Sequence, residues 1–168
     1  LDALVRSTGV GRADGVLEIG SGSGMLTAAL AQRAGSVITV EVDGDVLPFL
    51  RAKTEPYRNV TIVQGDIRAL DIAKLCAPLG EGFFVIANIP YSITTPILDL
   101  LWDSGLPIRQ ISVMVQREVA DKLLASPADD AYGLLSFKCR YRAEAELEAV
   151  VPAEAFTPPP KVDSAFVH

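Results

Sequence analysis

The sequence predicts an α/β domain built on a mostly parallel, doubly wound sheet with an antiparallel edge. Short apolar runs alternate with helical patterns: Val16-Leu17-Glu18-Ile19, Val37-Ile38-Thr39-Val40, Val60-Thr61-Ile62-Val63 and Phe83-Phe84-Val85-Ile86-Ala87 are each followed by a segment of helical spacing. The runs are largely continuous instead of alternating, as in strands covered on both faces. Composition agrees, because 168 residues with 49% hydrophobic and 21% charged content can bury one sizeable core.

Taken in order, the spacing predicts the end of a helix from Leu1 to about Thr8, a strand at 16–19, a helix at 25–33 and a strand at 37–41. A helix at 45–53, a strand at 60–64, a short helix near 71–77, a strand at 83–88, a helix at 95–102, a strand at 111–115 and a helix at 117–125 follow. The last two strands are placed at 134–141, with Tyr132-Gly133 as lead-in, and at 163–167. No long helix joins them, so they are expected to be antiparallel at one edge. Trp102 falls on the helical stripe Ile97, Leu98, Leu101 and reads as core. Without an internal repeat or low-complexity linker, residues 1–168 read as one domain, and Pro158 to Pro160 as a stiffened loop.

The first strand runs straight into Gly20-Ser21-Gly22-Ser23-Gly24, where glycines let the backbone turn tightly and approach a ligand. The spacing is not the dinucleotide fingerprint, since its third glycine would fall on Met25 or Thr27. A nucleoside without a pyrophosphate fits better. Glu41 ends the second strand, where a carboxylate can accept both hydroxyls of a ribose. Asp66, after the third strand, is placed to accept from an adenine amino group, with Ile67 against the ring. Each acid alone reads equally well as a solvated strand-end residue; three sites at three successive strand ends outline an S-adenosylmethionine pocket and a Rossmann-like methyltransferase fold. Glu18, Gly20, Gly22, Gly24, Glu41, Val42, Asp66, Ile67 and Asn88 form the candidate cofactor set.

The fourth strand delivers Asn88-Ile89-Pro90-Tyr91 to its carboxyl end. The amide oxygen of Asn88 and the backbone carbonyl of Ile89 can accept from an exocyclic amine, Pro90 stiffens the turn and Tyr91 offers a stacking face, a set suited to adenine. An ordinary strand-end turn is the competing reading. Phe156 is the candidate second ring on a flipped base, against an alternative role as core anchor. Asn88, Pro90, Tyr91 and Phe156 are the candidate catalytic residues.

Glu18-Ile19-Gly20-Ser21-Gly22-Ser23-Gly24, Gly65-Asp66, Asn88-Ile89-Pro90-Tyr91, Val115 to Ala120, Tyr132 to Ser136 and Phe156-Thr157-Pro158-Pro159-Pro160-Lys161-Val162-Asp163-Ser164 together resemble the ribosomal RNA adenine dimethyltransferases of the KsgA type. The resemblance extends over essentially the whole chain and implies placement of two methyl groups on N6 of each of two adjacent adenosines near the 3′ end of small-subunit rRNA, within a pre-ribosomal particle. It also implies a Gln-Asn-Phe-Leu segment ahead of Leu1 and a small helical domain after His168, so the chain is expected to be a catalytic-domain fragment. Ile89 is more usual in the antibiotic-resistance methylases of 23S rRNA; Thr94-Thr95-Pro96 and the Pro158 to Ser164 stretch pull toward the small-subunit branch. A DNA adenine methyltransferase and a non-catalytic RNA-binding factor on the same fold are the further alternatives.

The formal net charge is −6, awkward for an RNA enzyme. Residues 1–108 carry 8 basic and 12 acidic side chains, 109–142 carry 6 and 4, and 143–168 carry 1 and 5. Only the middle block is positive, which makes Arg109, Arg117, Lys122, Lys138, Arg140 and Arg142 the candidate phosphate contacts; Arg140 and Arg142 alternate as a strand would present them on one face, against a reading as a solvated strand edge. His168 is the one histidine and is not expected to serve a triad or a metal. Cys76 and Cys139 suggest neither a disulfide framework nor a zinc site. The longest uncharged run, 82–98, is interrupted by Asn88, Pro90 and Pro96 and falls short of a membrane span, and no signal peptide is visible. A cytoplasmic monomer without a metal is the expectation.

Overall fold

The computed structural model describes residues 1–156 and 158–168, Tyr91 by its backbone alone. Seven strands form one sheet: β1 (Gly15–Ile19), β2 (Ser36–Glu41), β3 (Val60–Gln64), β4 (Phe83–Asn88), β5 (Ile108–Gln116), β6 (Leu147–Val151) and β7 (Ser164–Val167). Their order is β3-β2-β1-β4-β5-β7-β6. The first five are parallel; β7 pairs antiparallel with β5, and β6 antiparallel with β7. The chain winds outward from β1 to β3 and then returns to β4 on the other side, so the carboxyl ends of β1 and β4 flank the switch point where open α/β sheets bind ligands.

Side-chain alternation sorts the strands onto two apolar layers. Val16, Val37, Phe84 and Ile86 pack with Val5 of α1 (Asp2–Ser7) and Leu30 of α2 (Met25–Ala31). Leu17, Ile19, Ile38, Val40, Val85 and Ala87 face the larger layer. There they meet α4 (Ile72–Cys76), α5 (Thr94–Asp103), α6 (Arg117–Leu124) and α7 (Leu134–Arg142). A further helix, α3 (Leu47–Thr54), continues a 3₁₀ turn at Gly44–Val46. Trp102 is half-buried against the larger core, as its stripe implies.

One expected element is overturned. Residues 134–141 form no strand but lie in α7, and the outer strand of the antiparallel edge is β6 instead. The alternation of Leu135, Phe137 and Cys139 is outweighed by a helical set: Leu135 packs on the core, with Ser136 and Cys139 buried at 0% and 3%. The helix start is fixed by Ser136, whose Oγ accepts from the Gly133 backbone N–H at 3.0 Å, while Phe137 N–H donates to the Gly133 carbonyl. Tyr132-Gly133 therefore leads into a helix. β6 follows with the half-buried alternation of an edge strand.

Candidate functional site

Glycine is required in the loop after β1 for two separate reasons. Gly20 has φ of 78°, and a Cβ there would sit 3.3 Å from the Asn88 carbonyl oxygen, so this residue lets the β1 and β4 ends close on each other. Gly24, at φ of 83°, starts α2, where a Cβ would press to 2.9 Å of Leu50 Cδ1. Between them, the Gly22 backbone N–H donates to Glu41 Oε2 at 2.7 Å, with Ser21 Oγ at 3.4 Å from the same oxygen. Glu41 Oε1 accepts from the Asp43 N–H at 2.9 Å. Glu41, only 7% exposed, thus ties the loop to the end of β2. Val42 beside it is 66% exposed, an apolar side chain open to a ligand at the end of β2.

Asp66 follows β3 with its carboxylate held by Arg68, whose Nη2 lies 2.6 Å from Oδ2 and whose backbone N–H lies 2.9 Å from Oδ1. The Arg68 side chain pulls its pKa down to about 2, keeping an ionised acceptor at the strand end. Ile67 offers no open face, being 4% exposed within the larger core, and supports this loop from beneath.

Glu18 is fully buried on the α2 side of β1. Thr27 Oγ1 donates to its Oε2 at 2.6 Å. Its Oε1 and the Thr39 hydroxyl are both buried without a bonded partner. Burial pushes the Glu18 pKa up to about 7, with the hydrogen bond from Thr27 opposing and the Glu41 charge adding to the rise.

Asn88 closes β4 in register with Met114 and is exposed, its side chain unpaired among the described residues. Ile89 is buried at 1% and anchors the turn, Pro90 is exposed, and Tyr91 opens a 3₁₀ turn, Tyr91–Ile93, that feeds α5. The Tyr91 ring and the expected stacking role lie outside the described residues. Phe156 is half-buried just after a 3₁₀ turn at Ala153–Ala155. Its loop spans from Val151 to Ser164, which are register partners, and Ser164 also pairs with Gln116 at the carboxyl end of β5. Phe156 is therefore carried on the same sheet edge as Asn88.

The sequence reading missed Arg68 and Thr27, although both were readable as a cation two residues after Asp66 and as a hydroxyl in the first turn of α2. It also missed a role for His168. Its ring sits between elements, with Nδ1 2.8 Å from Ser112 Oγ and Nε2 3.7 Å from Glu148. Ser112 is fully buried, so this trio fastens β5 to the β6–β7 edge and has no open nucleophile. Cys76 and Cys139 are free and buried; burial raises both thiols, Cys76 to about 11. Among the described residues no cluster of three potential metal ligands occurs, and no helix is long and apolar enough to cross a membrane.

Sheet order, the glycine turn and the acids at successive strand ends define a Rossmann-like methyltransferase fold. The model of the family "Ribosomal RNA adenine dimethylase" matches residues 1–168, and the chain belongs to that family. It is 43% identical over 170 residues to ribosomal RNA small subunit methyltransferase A of Ligilactobacillus salivarius, an alignment covering 99% of this chain and 57% of that protein. The fold matches a dimethyladenosine transferase from Plasmodium falciparum with a TM-score of 0.84 at 30% identity, over 99% of this chain and 58% of the other. The 23S rRNA methyltransferase ErmE matches with a TM-score of 0.84 at 29% identity, over 99% and 64%. The chain thus spans somewhat over half the length of these relatives.

A first expected result concerns Glu41. Glu41→Ala should weaken S-adenosylhomocysteine binding by about 1–3 kcal/mol, the cost of a lost charge-assisted acceptor. Calorimetry checks it, and equal affinity in the variant would remove Glu41 from the ligand site.

Proposed function

We propose that residues 1–168 are the catalytic domain of an S-adenosylmethionine-dependent enzyme that dimethylates N6 of two adjacent adenosines in small-subunit rRNA. The observation that carries this reading is Asn88, exposed and unpaired among the described residues at the end of β4, with its backbone against Gly20 and only β1 between it and the strand of Glu41. The pocket suits the cofactor: Glu41 faces the loop as ribose acceptor, Asp66 stays ionised for the adenine amine, and Gly22 has open space where a side chain would stand. Naming among relatives favours the small subunit over the 23S alternative.

The cofactor supplies a methyl group on a sulfonium, a leaving group that needs no protonation. The protein's task is alignment. The Asn88 amide oxygen and the Ile89 carbonyl accept hydrogen bonds from the amine N–H groups, turn the nitrogen lone pair toward the donor and stabilise the positive charge that grows on nitrogen, and the surplus N–H proton is then released to water. Pro90 holds the two acceptors at a fixed angle. Phe156 grips the ring by a face, which leaves the amine free to rotate for a second transfer. Glu18 buttresses the loop from within and the enzyme needs no metal. It acts as a monomer in the cytoplasm on a pre-ribosomal particle.

Radiolabelled methyl transfer to under-methylated small subunits, naked rRNA and DNA tests this. Preference for the subunits is expected; label on DNA alone would overturn it. Phe156→Ala should lower methylation by about 1–3 kcal/mol of lost stacking while Phe156→Tyr largely preserves it. Mass spectrometry of the modified rRNA over time reads both, and dimethyladenosine formed at the normal rate by Phe156→Ala would return Phe156 to the role of core anchor.

A further inference from the structure

The helical conformation of residues 134–142 rearranges the basic block into a surface that the sequence reading did not foresee. Leu134, Phe137 and Tyr141 are 71%, 57% and 76% exposed, and at 100° per residue they fall on one outward stripe of α7. The Phe137 and Tyr141 rings stack with centroids 6.4 Å apart and planes within 14°. Arg140 flanks the stripe on one side and Arg142 on the other, its guanidinium 5.7 Å from the Tyr141 centroid. Monomeric surfaces seldom expose aromatic rings in such a row without a partner.

The stripe has a direction. Lys138 pairs with Asp99 and Arg142 with Asp103, both across 39 positions, so α7 runs alongside α5 in the same sense. That offset brings Leu134 level with Thr95, at the start of α5 next to the Asn88 turn. Lys138 and Arg142 are bound to these acids, whereas Arg140 makes no ion pair among the described residues.

We infer that the outer face of α7 is the track for the unpaired rRNA strand beside the target adenine, with bases on Phe137 and Tyr141 and a phosphate on Arg140. Stacked exposed rings with a free guanidinium alongside match single-stranded nucleic acid, which offers a π-face at every base and a charge at every link. The stripe begins level with the turn proposed to hold the target base, and it lies in the one net-positive block of the chain. This inference rests on the RNA substrate reading above.

Fluorescence anisotropy with a short single-stranded oligoadenylate RNA, titrated at several salt concentrations, tests it. Phe137→Ala combined with Tyr141→Ala should weaken binding roughly tenfold or more at an unchanged salt slope. Tyr141→Phe should bind as the parent does. Arg140→Ala should lower the slope of log affinity against log salt by about 0.7. All three sites are exposed, so melting temperature and S-adenosylhomocysteine affinity should stay at parental values. Parental RNA affinity and slope in every variant would overturn the inference and leave the face to a protein partner. Absence of RNA binding by the unaltered protein would overturn the substrate reading as well.

Discussion

Asn88→Ala should abolish detectable methylation while S-adenosylhomocysteine binds nearly as well as before. The side chain is exposed at the end of β4 and has no protein partner among the described residues, so truncation removes no structural bond. The neighbouring Ile89 is buried at 1% and holds the turn in place regardless. In the proposed role, what is lost is an acceptor aimed at the amine, whose value rises as charge develops on nitrogen. Removing one preorganised group of this kind costs about 10²–10³ in turnover, or about 3–4 kcal/mol. The loss should therefore appear in kcat and leave cofactor affinity intact. Asn88→Asp sharpens the test, because it keeps an acceptor and adds a charge. Single-turnover rates with under-methylated small subunits decide the outcome, and a near-parental rate in Asn88→Ala would free Asn88 from any role in the chemistry.

How much of this was legible beforehand depends on where the information resides. Strands β1, β2 and β4 announce themselves because both faces are covered, so Val, Ile and Phe run continuously and no neighbour is needed to interpret them; β3, at the sheet edge, and β5 carry the same apolar run over a partly open face. The glycine loop, Glu41 and Asn88 were legible for a related reason, since each stands directly after such a run. The antiparallel edge was not. β6 is a half-buried edge strand, its Leu147-Glu148-Ala149-Val150-Val151 broken by Glu148 and carrying little apolar signal. The segment 134–141 carries more, and its alternating pattern disguises a helix whose outward face is itself apolar. Leu134, Phe137 and Tyr141 are exposed, so the usual rule that apolar residues mark the inner face misleads there. Partners across the fold were equally hidden. Arg68, two residues on from Asp66, was within local reach, whereas nothing near His168 reveals Ser112, 56 positions away.

Glu18 should make the protein lose stability as the pH rises from about 4.5 toward neutrality. Its carboxyl is fully enclosed, one oxygen bonded to Thr27 and the other without a partner, and burial raises its pKa from 4.5 to about 7. Between those two values the folded protein holds a proton that the unfolded chain has released, so each step up in pH favours unfolding. The stabilisation is complete below pH 4.5 and is gone once the pH passes about 7. Its full extent is about 3 kcal/mol. Asp66 acts in the opposite sense and in another window: Arg68 lowers its pKa to about 2, so its contribution disappears only in acid. Glu18→Gln isolates the effect. The amide keeps an acceptor for Thr27 and can donate to the otherwise unpartnered Thr39 hydroxyl, so the variant should match the parent near pH 5 and exceed it by up to about 3 kcal/mol at pH 8. Urea unfolding across pH 4.5 to 8.5 measures both curves. Thr27→Val adds a second check, since removing the donor that favours the ionised form should move the parent's midpoint above 7. Parallel curves for parent and Glu18→Gln would mean that Glu18 is already ionised in the folded state, and the unpaired oxygen would then have to be satisfied by a donor from outside the protein.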